Sequence, residues 1–158
     1  MISLRSAVRD SDETNVRDIV TSSGFFNEEE IDIAVELVTE RLAKGEKSGY
    51  LFIFAEDDGR TIGYSCYGPI GGTRESYDLY WIAVHEDYRG QGIGRKLLEA
   101  SEKDIAQRGG HRIYIETSSR QQYKPTRSFY LSAKYEVATI LDDFYAPGDS
   151  KYIFVKII

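Results

Sequence analysis

Apolar and polar positions along the chain follow two periods, and the switches between them outline the elements. Residues 2–8 alternate, which predicts a first strand. Asp10-Ser11-Asp12-Glu13 supplies caps for a helix that runs to Ser23 and stops at Gly24. Asn27-Glu28-Glu29-Glu30 caps a second helix. In it Ile31, Val35, Leu37, Val38 and Leu42 recur near the helical period, and Gly45 lies just past the end. Residues 51–55 and 61–67 read as two strands around a hairpin turn at Asp57-Asp58-Gly59-Arg60. A loop at Gly68-Pro69-Ile70-Gly71-Gly72 leads to residues 78–84, apolar on both faces as in a buried strand. Residues 92–108 predict a helix ended by Gly109-Gly110, and residues 112–117 another buried strand. Pro125 opens a short helix through Ala133. Residues 135–141 and 151–157 close the chain as strands, joined by a turn at Ala146-Pro147-Gly148-Asp149.

The order is strand, two helices, three strands, helix, strand, helix, two strands. That is a mixed α/β domain with a central sheet of about seven strands and about four helices. The unit from Asp78 to Thr117 needs parallel strands and a right-handed crossover. No repeat, low-complexity tract or Pro-rich linker breaks the chain, so residues 1–158 are expected to form one domain.

Composition narrows the function classes. Hydrophobic residues make up 41%, enough for a real core, which argues against a disordered chain. No run of eighteen apolar residues offers a membrane span, and Met1-Ile2-Ser3-Leu4-Arg5 lacks a signal-peptide pattern. Cys66 is the single cysteine, so no internal disulfide can form. Together with only two histidines it argues against a metal site, and a reducing cytoplasm is the expected compartment. The net charge is -6, which argues against a nucleic-acid partner and favours cationic small molecules.

The chemistry concentrates in the stretch from Trp81 to Leu98. A buried strand passes through His85-Glu86-Asp87 into a glycine-rich loop that opens a helix. The first N–H groups of a helix lack internal partners, and with the helix dipole they make an anion site. Gly90, Gly92 and Gly94 let a phosphate approach the backbone, while Arg89, Arg95 and Lys96 add positive charge. The spacing is neither the nucleotide P-loop nor the dinucleotide G-x-G-x-x-G, whose last glycine would fall at Arg95. A glycine-rich connection without any ligand is the alternative.

Arg89-Gly90-Gln91-Gly92-Ile93-Gly94 resembles the R/Q-x-x-G-x-G/A signature of the GNAT superfamily, the acyl-CoA-dependent N-acyltransferases. Ile82-Ala83-Val84 looks like that family's strand, whose backbone pairs with the pantetheine arm. Thr126-Arg127-Ser128-Phe129-Tyr130 resembles its fourth helix, and the element order fits the GNAT fold throughout. The resemblance implies acetyl-CoA as co-substrate, held by Ile82, Ala83, Val84, Arg89, Gly90, Gln91, Gly92, Ile93, Gly94, Arg95 and Tyr123. Two positions depart from the family pattern. Tyr123 stands where Asn is common, which bears on one cofactor or substrate hydrogen bond, and Lys134 stands where Gly is common before an aromatic residue.

The same resemblance implies direct acetyl transfer to an amine. Tyr130 is the candidate general acid toward the CoA sulfur. Asp78 is the candidate general base, the alternative being a strand-end carboxylate that only holds a loop or binds the ammonium. Glu116 is the alternative base, or a binder of the substrate cation, or merely the partner of Arg127 or another arginine. His85 and His111 read as surface positions, and Cys66 as a half-buried strand residue. Phe25, Phe26, Tyr67, Tyr77, Tyr80, Trp81, Tyr123, Phe144 and Tyr145 either line a pocket for a small amine or form a satellite cluster under loops. In the pocket reading Asp142, Asp143 or Asp149 attracts the amine's charge. A small primary amine is the expected acceptor, with a protein or peptide acceptor and a non-catalytic acyl-CoA-binding module as rivals. Exposed final strands leave a homodimer open.

Overall fold

A computed structural model describes all of residues 1–158. The strands are β1 (Ile2–Arg5), β2 (Leu51–Asp57), β3 (Arg60–Pro69), β4 (Ser76–Val84), β5 (Arg112–Ser118), β6 (Glu136–Ala146) and β7 (Asp149–Ile157). The helices are α1 (Asp12–Ser22), α2 (Glu28–Lys44), α3 (Ile93–Gln107) and α4 (Lys124–Ser132). Hydrogen-bonded neighbours run β1-β2-β3-β4-β5-β7-β6. The chain divides into two compact units, and the division falls inside β4, between Asp78 and Leu79. No helix is long and apolar enough to cross a membrane.

The first unit comprises Met1–Gly68 and Leu79–Asp104. Its core joins Val16, Ile19 and Val20 of α1, Ile31, Ala34 and Val38 of α2, and Phe52, Phe54, Tyr64 and Cys66 of β2 and β3. The helical period in α2 thus selects the buried face, and its start carries a full capping box. Asn27 Oδ1 accepts from the Glu30 N–H at 2.8 Å, and Glu30 Oε1 accepts from the Asn27 N–H at 3.1 Å. The β2–β3 hairpin turns at Asp58 (φ 48°) and Gly59 (φ 85°), the two left-handed positions that an Asp-Gly turn supplies. Cys66 is fully buried rather than half-buried, because its strand face is covered by both helices.

β1 is shorter than the alternation suggested, ending at Arg5 instead of running to Val8. The reason is an ion pair. Arg5 is held by both oxygens of Asp12, at 2.8 and 3.0 Å, and by Glu56 at 3.4 Å. Arg9 N–H and Asn15 also donate to Asp12, at 2.7 and 3.0 Å. The chain leaves the sheet to wrap this carboxylate, which is fully buried at the start of α1.

The second unit comprises Pro69–Asp78 and Ile105–Ile158. β4 and β5 pair in parallel over Ser76↔Arg112, Tyr77↔Ile113 and Asp78↔Tyr114. β5 pairs antiparallel with β7, and β7 with β6. The closing hairpin is longer than expected. β6 continues to Ala146 and β7 begins at Asp149, with bulges in β6 between Val137 and Thr139 and between Leu141 and Ala146. A bulge accommodates the left-handed Asp143 (φ 53°), whose carboxylate accepts from the Gly148 N–H at 2.8 Å.

Candidate active site

The glycine loop belongs to the first unit. Ile82, Ala83 and Val84 of β4 are half-buried and lead to His85. The His85 N–H donates to the Ile62 carbonyl at 2.7 Å, and its Nδ1 accepts from the Asp87 N–H at 3.1 Å. His85 therefore caps the single helical turn Glu86–Tyr88 and is mostly covered, with its side chain 16% exposed, unlike the surface residue expected. Ser22 accepts from the Glu86 N–H at 3.0 Å and ties this turn to α1. Arg89 pairs with Glu86 at 3.2 Å.

Gly90 and Gly92 both have φ of 77°, a backbone that side chains rarely adopt, and both stand next to open space. Lys96 N–H donates to the Gly92 carbonyl at 3.2 Å. Hence the N–H groups of Ile93, Gly94 and Arg95 precede the intrahelical ladder. Gln91 is exposed, and Gly94 and Arg95 are half-buried. The Ile93 side chain is buried, so only its N–H is available to a ligand. Backbone donors, a helix dipole and two arginines at one helix start suit a pyrophosphate.

The two candidate carboxylates belong to the second unit, and the register brings them together. Asp78 is level with Tyr114, and Glu116 lies two residues further along β5, so all three share one face. Across the β5–β7 ladder, Ser118 is level with Lys151, which puts Lys151 on the same face. Lys151 Nζ lies 2.9 Å from Glu116 Oε1 and 4.1 Å above the centre of the Phe144 ring. The Lys151 side chain is 12% exposed, against 52% for Glu116. Asp78 is half-buried. Burial raises its carboxyl above the ordinary range, Glu116 adds to the rise, and Lys151 opposes it.

Glu116 thus pairs with a lysine, not with Arg127. Arg127 instead donates to the carbonyls of Ser118 and Arg120, at 2.8 and 3.1 Å, and lies over the Tyr152 ring at 5.2 Å. The guanidinium locks the end of β5 to the start of α4. Arg120 covers the Tyr123 ring at 5.4 Å and pairs with Asp149 at 3.4 Å.

Tyr130 is 4% exposed and packs against Tyr135 and Phe154, with ring centres at 5.8 and 5.9 Å. Phe154 is level with Ile115, so it lies on the face opposite Glu116. Burial pushes the Tyr130 phenol well above its ordinary pKa. In the second unit the acid candidate and the carboxylates therefore occupy opposite faces of the sheet.

The aromatic set separates into three groups. Tyr67, which donates to Asp104 at 2.6 Å, and Tyr77 are buried in the cores. Phe26 packs on Trp81 at 5.1 Å and Tyr50 on Tyr80 at 5.6 Å. Phe25, Phe144 and Tyr145 are about half exposed, at 47%, 52% and 48%. Asp143 is spent on the hairpin turn, and Asp149 accepts from Ser118. Lys151 is the residue that the sequence reading missed. It opens an ordinary alternating strand, and no local signal marks it.

Comparison with known proteins agrees with this architecture. The acetyltransferase (GNAT) family profile matches residues 14–133. A crystal structure from Desulfovibrio desulfuricans, assigned to the GNAT family, is 42% identical over 99% of both chains, with a TM-score of 0.98. The ribosomal-protein-S18-alanine N-acetyltransferase of Escherichia coli is 22% identical, covers 100% of this chain and 94% of its own, and has a TM-score of 0.77. An aminoglycoside 6'-N-acetyltransferase in complex with coenzyme A is 19% identical, covers 99% and 96%, and has a TM-score of 0.77. A curated acetyltransferase of Pectobacterium atrosepticum is 38% identical over 65 residues, which is 41% of this chain and 44% of that protein. The match thus spans less than half the length of that curated relative. The fold is that of the GNAT acetyltransferases, and the chain belongs to this family.

Proposed function

We propose that the protein transfers the acetyl group of acetyl-CoA to a primary amine of a small molecule, by direct attack in a ternary complex. The observation that carries this reading is Asp78, a half-buried carboxylate with a raised pKa beside a second carboxylate already filled by Lys151. Such a group suits proton removal from an amine.

The glycine loop from Arg89 to Arg95 holds the pyrophosphate through backbone N–H groups and guanidinium charge. The backbone of Ile82, Ala83 and Val84 receives the pantetheine arm and donates to the developing oxyanion. Asp78 takes the proton that leaves the amine. The neutral amine's nitrogen lone pair forms the C–N bond as that proton passes to Asp78, and the C–S bond breaks as the tetrahedral centre collapses. The thiolate takes its proton from Tyr130, which solvent later replenishes. The Tyr130 phenol is protonated at neutral pH, and burial, by raising its pKa, holds that proton more tightly. Glu116 holds Lys151, and Tyr123, with Arg120 stacked on it, contributes to holding the cofactor.

The test is a calorimetric titration with acetyl-CoA, using adenosine diphosphate as the control. Micromolar binding specific to acetyl-CoA, followed by amine-dependent release of free CoA thiol, is the expected result. Binding without turnover on any small amine or peptide N-terminus would leave a non-catalytic acyl-CoA module. Absence of binding would remove the assignment altogether.

A further inference from the structure

We propose that Lys151 is a specificity-determining residue, a tethered cation that fills one of two ammonium seats on the acceptor face and restricts the enzyme to acceptors with a single positive charge. The inference rests on the acetyltransferase reading of this face and names its substrate class more narrowly.

An ammonium ion is held by a carboxylate and by the face of an aromatic ring. Glu116 and Phe144 provide that pair, and the Lys151 ammonium already sits between them, at 2.9 and 4.1 Å. The seat is built into the strands. Lys151 and Glu116 share a sheet face through the β5–β7 register, and Leu141 of β6 lies level with Lys151. The Lys151 side chain is 12% exposed, while Glu116 and Phe144 on either side of it are each 52% exposed. A mobile acceptor would have to expel a charge that the backbone holds in place.

The other carboxylates of this neighbourhood divide the same way. Asp149 is engaged by Arg120 and Ser118. Asp78 lies on the Glu116 face and makes no direct ion pair, feeling Lys151 only through its charge. One amine therefore finds a carboxylate, and a second ammonium a few ångströms away meets Lys151. Like charges at that separation repel strongly enough to change affinity on the order of tenfold or more when partly desolvated.

The experiment compares kcat/KM for matched acceptors at neutral pH. One pair is an alkyl monoamine and the diamine of equal length, and the second is an arylalkyl monoamine and its analogue with one added amine. The wild-type protein should favour the monoamine of each pair at least about tenfold, mostly through KM, with the preference shrinking as salt rises. Lys151→Met should close or reverse the gap, and Lys151→Arg should keep it. Acetyl-CoA titration of both variants checks that they fold. Equal use of mono- and diamines by the wild type overturns the proposal, as does a preference that survives Lys151→Met. Turnover of no amine in either pair, by a protein that binds acetyl-CoA, also overturns it. Failure of the wild type to bind acetyl-CoA instead removes the enzyme assignment beneath it.

Discussion

Asp78 carries opposite consequences for activity and stability. Its folded-state pKa is raised, chiefly by burial. A carboxyl whose folded pKa is raised contributes stability below the unfolded value of about 3.9, and this is lost as pH rises through the folded value. Ionising Asp78 in the folded chain therefore costs stability. Asp78→Asn should raise Tm at pH 7, with the difference vanishing near about pH 3–4. The same variant should lose most of its kcat/KM and the acidic limb of the pH profile. An unchanged limb would assign the proton to another group. Tyr130 is tested separately. Tyr130→Phe keeps the ring packing on Tyr135 and Phe154, so acetyl-CoA affinity should hold while kcat falls on the order of 10²-fold. Unchanged turnover would end its role as the acid.

Two elements owe their boundaries to single residues. Helix α4 ends with the Tyr135 N–H donating to the Tyr130 carbonyl at 3.0 Å, and Lys134 between them has φ of 74°. That is the left-handed cap for which glycine is suited, and it gives the departure at Lys134 its meaning. The lysine occupies a backbone that strains its Cβ. Lys134→Gly should therefore stabilise the fold by about 0.5–1 kcal/mol, read as a Tm rise of about 2–3 °C. Helix α1 begins on buried Asp12. Burial alone would raise its carboxyl, but the hydrogen bonds of Arg5, Arg9 and Asn15 hold it below the ordinary range. Its contribution is thus present above about pH 3.9 and lost as pH falls through the lowered folded value. Asp12→Ala leaves a mostly buried guanidinium short of its partner and should cost about 3–5 kcal/mol in denaturant unfolding at neutral pH. A loss under about 1 kcal/mol would make the network incidental.

At the scale of the whole chain, the proposed cofactor loop and the proposed base and acid fall in different units. The loop lies in the first and the carboxylates with Tyr130 in the second. A change confined to the loop should abolish cofactor binding and leave the second unit folded. Gly92→Trp tests this, because the position faces open space and the strain at φ of 77° costs only about 1–2 kcal/mol. Acetyl-CoA affinity should fall at least about a hundredfold, which is about 2.7 kcal/mol, with the unfolding transition retained. Retained binding would remove the pyrophosphate assignment.

What the sequence determined on its own was everything set by neighbours in the chain. Asn27 with Glu30 marked a helix start, Asp58-Gly59 a hairpin, and Gly90 to Gly94 a loop opening α3, because caps, turns and periodicity act over a few residues. The Arg89–Gly94 motif, the Phe129-Tyr130 pair and the element order together carried the resemblance to the family. Only the tertiary structure decided what depends on register and long-range burial. Arg5 finds Asp12 by cutting β1 short, and His85 becomes a covered cap through Ile62 and Asp87. Lys151 meets Glu116 because two strands far apart in sequence lie in one antiparallel register, and a one-residue slip would have sent the lysine to the other face. Charge pairing of that kind is a property of the sheet, and no local pattern encodes it.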